Sequence, residues 1–195
     1  MVNENASIIF PKAQKINLSY DLSEDRLIIL ALLIGNVRRQ LTLTRRIYIA
    51  LLNSYIKLMQ EVSHIQNVPF ELRQEAFLLE HIGALNDEAL HENGQEWIEN
   101  QTRSDFGSPF LVLEVKLQIE RDSALIGFLG VQACEMEYDL KAAQPLFALT
   151  MDRNTTHKFL KVLVQEGLRA EWNNPIDDRV LSAIADQKSD LLTAH

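Results

Sequence analysis

The chain has 195 residues, enough for a full hydrophobic core in one or two domains. Hydrophobic residues make up 47% and charged residues 24%, a balance that excludes wholesale disorder. The net charge of −8 argues against a domain that wraps duplex nucleic acid, because such domains are basic over their binding face.

The first ten residues, Met1 to Phe10, lack the positive charge and long apolar stretch of a signal peptide. Ile16, Leu18, Tyr20 and Leu22 alternate with polar residues, the period of a half-buried strand. Ser23-Glu24-Asp25 predicts a turn. Leu27 to Ile34 is apolar at nearly every position and predicts a strand buried on both faces, in mid-sheet or at a subunit interface. It is also the longest apolar run, and its eight residues fall well short of the roughly 20 that a membrane helix needs. The expectation is a cytoplasmic protein with no membrane association. Gly35-Asn36 is a two-residue hairpin signal. Val37 to Leu43 then returns, with Val37, Leu41 and Leu43 on one face and Arg38, Gln40 and Thr42 on the other.

From Arg45 to Gln60 the period becomes helical, through Ile47, Leu51, Leu52, Tyr55, Ile56, Leu58 and Met59. Thr44 stands at the N-cap, where its hydroxyl can accept from a free backbone N–H of the first turn. A second helical reading begins after Pro69, with Leu72, Phe77, Leu78, Ile82 and Leu85 apolar. Asn86-Asp87 and Asn93-Gly94 are breaks, and residues 100–109 read as loop. A strand order then recurs. Leu111 to Glu120 alternates, Arg121-Asp122 turns, and Ala124 to Val131 is largely apolar. Residues 133–140 and 145–150 are strand-like, and a helical stripe runs through Phe159, Leu163, Val164, Leu168 and Ala170. After Pro175, Val180, Leu181, Ile184, Leu191 and Leu192 suit one short amphipathic helix.

Two stretches can be aligned, SEDRLII with ERDSALI and LTLTRR with FALTMDR. The residue identity is slight, but the shared order of elements points to a structural duplication. The expected fold is α+β: two repeats of antiparallel strands followed by a helix, joined by an acidic helical segment. The divisions are 1–60 for the first unit, 61–108 for the acidic connector, 109–172 for the second unit and 173–195 for a C-terminal amphipathic helix and tail.

Charge is unevenly spread. Arg26 to Gln60 holds no acidic residue and six cations: Arg26, Arg38, Arg39, Arg45, Arg46 and Lys57. Residues 61–105 hold ten acidic residues against Arg73 and Arg103. Arg45 and Arg46 begin a helix, where the macrodipole makes an exposed cation unfavourable by about 0.3–1 kcal/mol. The same end exposes backbone N–H groups and suits an anion. Arg38, Arg39, Thr44, Arg45 and Arg46 are therefore the candidate anion- or partner-binding residues. The acid they meet is the 61–105 segment of this chain or a twin, a carboxylate on another protein, or a phosphate of nucleic acid.

No motif names a reaction. Gly-x-Ser-x-Gly, Gly-x-Gly-x-x-Gly, a phosphate-binding glycine-rich loop and His-Glu-x-x-His are all missing from the sequence. Glu61–His64 and Glu88–His91 have the Glu-x-x-His spacing of di-iron bundles, which need two more inward glutamates from two long helices. They read as solvated helix surface, and neither a metal nor a cofactor is expected. Cys134, the one cysteine, has no His or basic neighbour in sequence to activate it and reads as a buried thiol. Glu135, Glu137 and Asp139 read as a solvent-facing strand edge. His81 and His157 lie on helical readings with no evident Asp or Ser partner, and Trp97 and Trp172 read as anchors of helices or loops.

The order of antiparallel strands and then a helix, twice over, is similar to the repeated unit of the Whirly and PUR families. That resemblance implies single-stranded nucleic-acid binding on the sheet. Stacking on bases needs aromatic and basic strand faces. Here Tyr20, Phe128, Tyr138 and Phe147 lie on acidic or apolar strands. The expected function is a non-enzymatic protein-interaction or assembly protein, an adaptor or homo-oligomer, with single-stranded nucleic-acid binding as the alternative.

Overall fold

The computed structural model describes residues 8–62, 68–69, 72–86, 102–120, 122–133, 142–172, 176 and 178–185. In chain order these form β1 (Ala13–Asp21), β2 (Arg26–Leu33), β3 (Arg38–Leu43), α1 (Arg45–Val62), α2 (Arg73–Leu85), a short 3-10 turn (Arg103–Phe106), β4 (Phe110–Ile119), β5 (Ser123–Gln132), β6 (Gln144–Asp152), α3 (Arg153–Arg169) and α4 (Asp178–Ala185). The class is α+β. The six strands make one mixed sheet in chain order, from β1 to β6.

Neighbouring strands run antiparallel except at one seam, where β3 and β4 are parallel. That seam is short, with Leu41 opposite Phe110 and Thr42 opposite Leu111. The sheet also returns on itself. Lys12 bridges Ala148 in parallel, the Ala148 amide donates to the Pro11 carbonyl at 2.8 Å, and the Ile34 amide donates to the Lys12 carbonyl at 3.0 Å. Pro11 lacks an N–H and sits at the margin of the bridge, where a missing donor costs least. Beyond the bridge, α3 packs against β1, and Glu166 caps the Tyr20 amide at 2.7 Å. Helix α1 likewise lies against β4, beside the parallel seam.

The β2–β3 hairpin is turned by Gly35 and Asn36, both at positive φ, the geometry of a type I′ turn. Strand β2 is buried along nearly its whole length. Leu27, Ile29, Ala31 and Leu33 face the main core, whereas Ile28 and Leu30 form a separate cluster with Phe106. Thus the second face of this strand is covered from within the chain. Residues 100–109 were expected to be loop, but they contain the 3-10 turn that delivers Phe106. Its capping box, Thr102 with Asp105, ties down the turn.

Gln40 and Thr42 lie on the face opposite Leu41 and Leu43, as the alternation predicts, yet both are buried. Strand β3 is internal to the sheet, and the 3-10 turn packs across it. Thr42 Oγ1 donates to the Phe110 carbonyl at 3.2 Å across the seam. The strand-like reading of residues 134–140 lies outside the described residues, as do Leu191 and Leu192.

Helix α3 is the centre of the helical layer. It touches α1, α2, α4 and strands β1, β5 and β6. It meets α1 at Gly167, where the Tyr48 hydroxyl occupies the space a side chain would need. Tyr55 Oη donates to the Thr156 carbonyl at 3.2 Å further along the same contact.

Candidate functional site

The five candidate residues of the arginine region stand at two ends of β3. Arg38 and Arg39 open the strand and Thr44 to Arg46 follow it, so six residues at about 3.3 Å each put the groups roughly 20 Å apart. Arg38, Arg45 and Arg46 are exposed. Arg39 is turned inward: it donates to the Leu146 carbonyl of β6 and lies over the Phe110 ring, 5.4 Å from its centroid. Burial lowers its pKa from the ordinary arginine range. It therefore ties two distant strands together across the rolled sheet.

At the other end, Thr44 Oγ1 accepts from the Ile47 amide at 3.4 Å, the N-cap contact expected from sequence. No acidic residue stands in the first turn of α1. Arg45 instead lies in the field of Asp25, whose carboxyl is held below its usual range. The causes are hydrogen bonds from Trp172 and Tyr20, with Arg45 and Arg26 adding to them. Trp172 Nε1 and Tyr20 Oη both donate to Asp25 Oδ1 at 2.8 Å. Trp172 is buried edge-on to Tyr20 and tilted against Tyr48, so it anchors the end of α3 to the β1–β2 turn.

Three described acids of 61–105 meet other partners. Glu61 reaches Lys57, Asp105 accepts from Thr102, and Glu80 pairs with Arg153. Arg103 pairs with Asp21 and Glu24.

The structure assembles one polar cluster that sequence spacing did not reveal. His81 of α2 and His157 of α3 are fully buried and meet Nδ1 to Nδ1 at 3.1 Å. His81 Nε2 lies 3.3 Å from the Ile184 carbonyl of α4. His157 Nε2 faces Glu80 Oε1 at 3.5 Å, and Glu80 accepts from Arg153 Nε at 2.7 Å. Arg153 also reaches the thioether and carbonyl of Met59 at the end of α1. Phe77 lies beside both imidazoles, with ring centroids about 6 Å away. Burial pushes His81 down to about 4, with the neighbouring His157 adding to the effect. His157 is also lowered by burial, against an opposing pull from Glu80. Burial pushes the Glu80 carboxyl up, but the facing His157 imidazole and the hydrogen bond and charge of Arg153 outweigh this and leave it at about 2.

His81 lies four residues after Phe77 and three before Ala84, and these three form the buried stripe of α2. That spacing was the available signal: an imidazole in the apolar row of a helix needs a buried polar partner. The partner, 76 residues away in sequence, is visible only in the fold.

Among the described residues, no group of three or more His, Cys, Asp and Glu side chains is arranged for a metal ion. His64, Glu88, His91, Cys134, Glu135, Glu137, Asp139, Trp97 and Tyr138 lie outside the described residues. Phe128 and Phe147 are fully buried and pack on each other, with centroids 5.1 Å apart. Neither is available to stack on a base. No described helix is long and apolar enough to cross a membrane. The chain matches no protein-family model, no curated protein and no solved structure.

Proposed function

We propose that this chain is a non-enzymatic interaction or assembly protein that meets a carboxylate-bearing protein surface through the exposed arginines flanking β3. The observation that carries this reading is the placement of Arg38, Arg45 and Arg46. All three are exposed, within a 35-residue stretch (26–60) that holds no acidic residue. Arg45 and Arg46 sit on a helix start that electrostatics alone would fill with acids. The acidic 61–105 region of a second copy is the first candidate partner. Base stacking is the weaker reading, because the interior takes Phe128 and Phe147.

The same proposal treats residues 1–60 and 109–172 as a duplicated unit, with 61–108 as an acidic connector. Two features support the duplication. Each half runs three strands and then a helix. The two parallel contacts, β3 to β4 and Lys12 to Ala148, join the last strand of one half to the start of the other.

The test is light scattering on a sizing column, with and without a mixed single-stranded oligonucleotide, on the wild type and on Arg45→Glu with Arg46→Glu. A discrete oligomer that ignores the oligonucleotide and is weakened by charge reversal is expected. An oligonucleotide complex that forms at low salt and dissolves at high salt would overturn the proposal in favour of nucleic-acid binding.

A further inference from the structure

The protons at the meeting point of α2, α3 and α4 can be placed from hydrogen-bond chemistry. A carbonyl oxygen only accepts, so the ring nitrogen facing Ile184 O carries a proton, and that nitrogen is His81 Nε2. A neutral His81 then has a bare Nδ1. The contact of 3.1 Å between the two Nδ1 atoms needs one proton, which His157 must supply. A neutral His157 is therefore left with a bare Nε2. That atom is buried without a hydrogen-bond partner, as is Oε2 of the Glu80 carboxylate it faces. Donation runs one way, from His157 through His81 to Ile184.

This order makes the next two protons unequal. One added at His157 Nε2 points at Glu80 and turns a contact between two acceptors into a charge-assisted bond. One added at His81 Nδ1 opposes the His157 N–H, donor against donor, inside a fully buried contact. We propose that this junction is a proton latch: the first proton goes to His157 Nε2, facing Glu80, and the second, on His81 Nδ1, parts the imidazoles and opens α2 from α3.

The groups facing the pair are compatible with that sequence. Helix α2 contributes Glu80, which stays ionised because its carboxyl is held at about 2. Helix α3 contributes Arg153, bound to Glu80, and Lys161, whose charge opposes protonation of His81. Helix α1 offers the neutral Met59 thioether and carbonyl, which hold Arg153, and α4 offers the Ile184 carbonyl. Opening would expose Phe77, His81 and Ala84, the buried face of α2.

The test follows amide exchange of the full chain from pH 7 down to about 3.5, corrected for intrinsic rates, beside an NMR titration of the imidazole signals. Protection of α2 is expected to fall in one step that begins below about pH 6.5 and amounts to about tenfold or more by pH 4, while β2 and β5 stay protected. In His81→Phe, whatever its protection at pH 7, that step is expected to vanish. The step persisting unchanged in His81→Phe would overturn the latch. So would wild-type titrations of both histidines at the ordinary value with α2 still protected, a result that needs no variant to fold.

Discussion

Replacing Gly167 by alanine sets helix propensity against packing. In an exposed helix interior this change stabilises by about 1 kcal/mol, because alanine loses less backbone entropy. Here a Cβ would fall within the Tyr48 ring, against its hydroxyl and Cζ and 3.0 Å from Cε1. Tyr48 is 2% exposed and is held by Trp172, with ring centroids 5.3 Å apart, so it has little room to swing away. The two helices must separate, and overpacking of this kind costs about 1–3 kcal/mol or more. Packing wins, and Gly167→Ala is expected to lower stability by roughly 1–3 kcal/mol net. Urea unfolding followed by tryptophan fluorescence measures it, since Trp172 sits on the perturbed contact. Adding Tyr48→Leu should restore part of the loss and give a coupling energy of about 1 kcal/mol or more between the two sites. A Gly167→Ala variant stabilised by the full propensity gain would refute the α1–α3 contact.

Two other perturbations test the core and the buried ion pair. Leu30→Asp places a carboxylate in the cluster with Ile28 and Phe106, and it is expected to abolish cooperative folding. A soluble product with an unchanged melting temperature would remove β2 from mid-sheet. Glu80→Gln leaves Arg153 half-buried without its carboxylate, at an expected cost of about 2–4 kcal/mol at pH 7 by chemical denaturation. The sign of the wild-type pH dependence follows from the folded values. Histidines lowered by burial cost stability as pH falls below about 6.5, where the unfolded chain takes up protons first. Glu80 contributes fully above its ordinary 4.5, and its contribution is lost as pH falls toward about 2. Glu80→Gln should flatten only the lower part of this curve.

Much of the local structure was legible in the residues. Alternation at Ile16 to Leu22, the apolar Leu27–Ile34 run, Gly35-Asn36 and the change to a helical period after Thr44 each mark an element that the structure contains. The acidic region read less clearly. Leu72 is exposed beside α2, while His81 is buried, so the apolar stripe there was partly misassigned. A short helix held by one buried row has little periodicity to read. The arginine cluster also changed meaning. Arg38 to Arg46 is contiguous in sequence, but an extended strand separates its ends, and Arg39 is consumed by the carbonyl of Leu146.

The sequence by itself determined the α+β class, the double burial of β2, the hairpin and the start of α1. These depend on neighbours within a few residues, where side-chain period, glycine φ and capping hydroxyls act. Only the tertiary structure decided that β3 and β4 run parallel, that Phe106 covers β2, that Tyr48 meets Gly167, and that His81 faces His157. Each of these pairs residues tens to more than a hundred positions apart. Closing such loops depends on the combined burial of the whole core, and no local pattern in the chain encodes the partner.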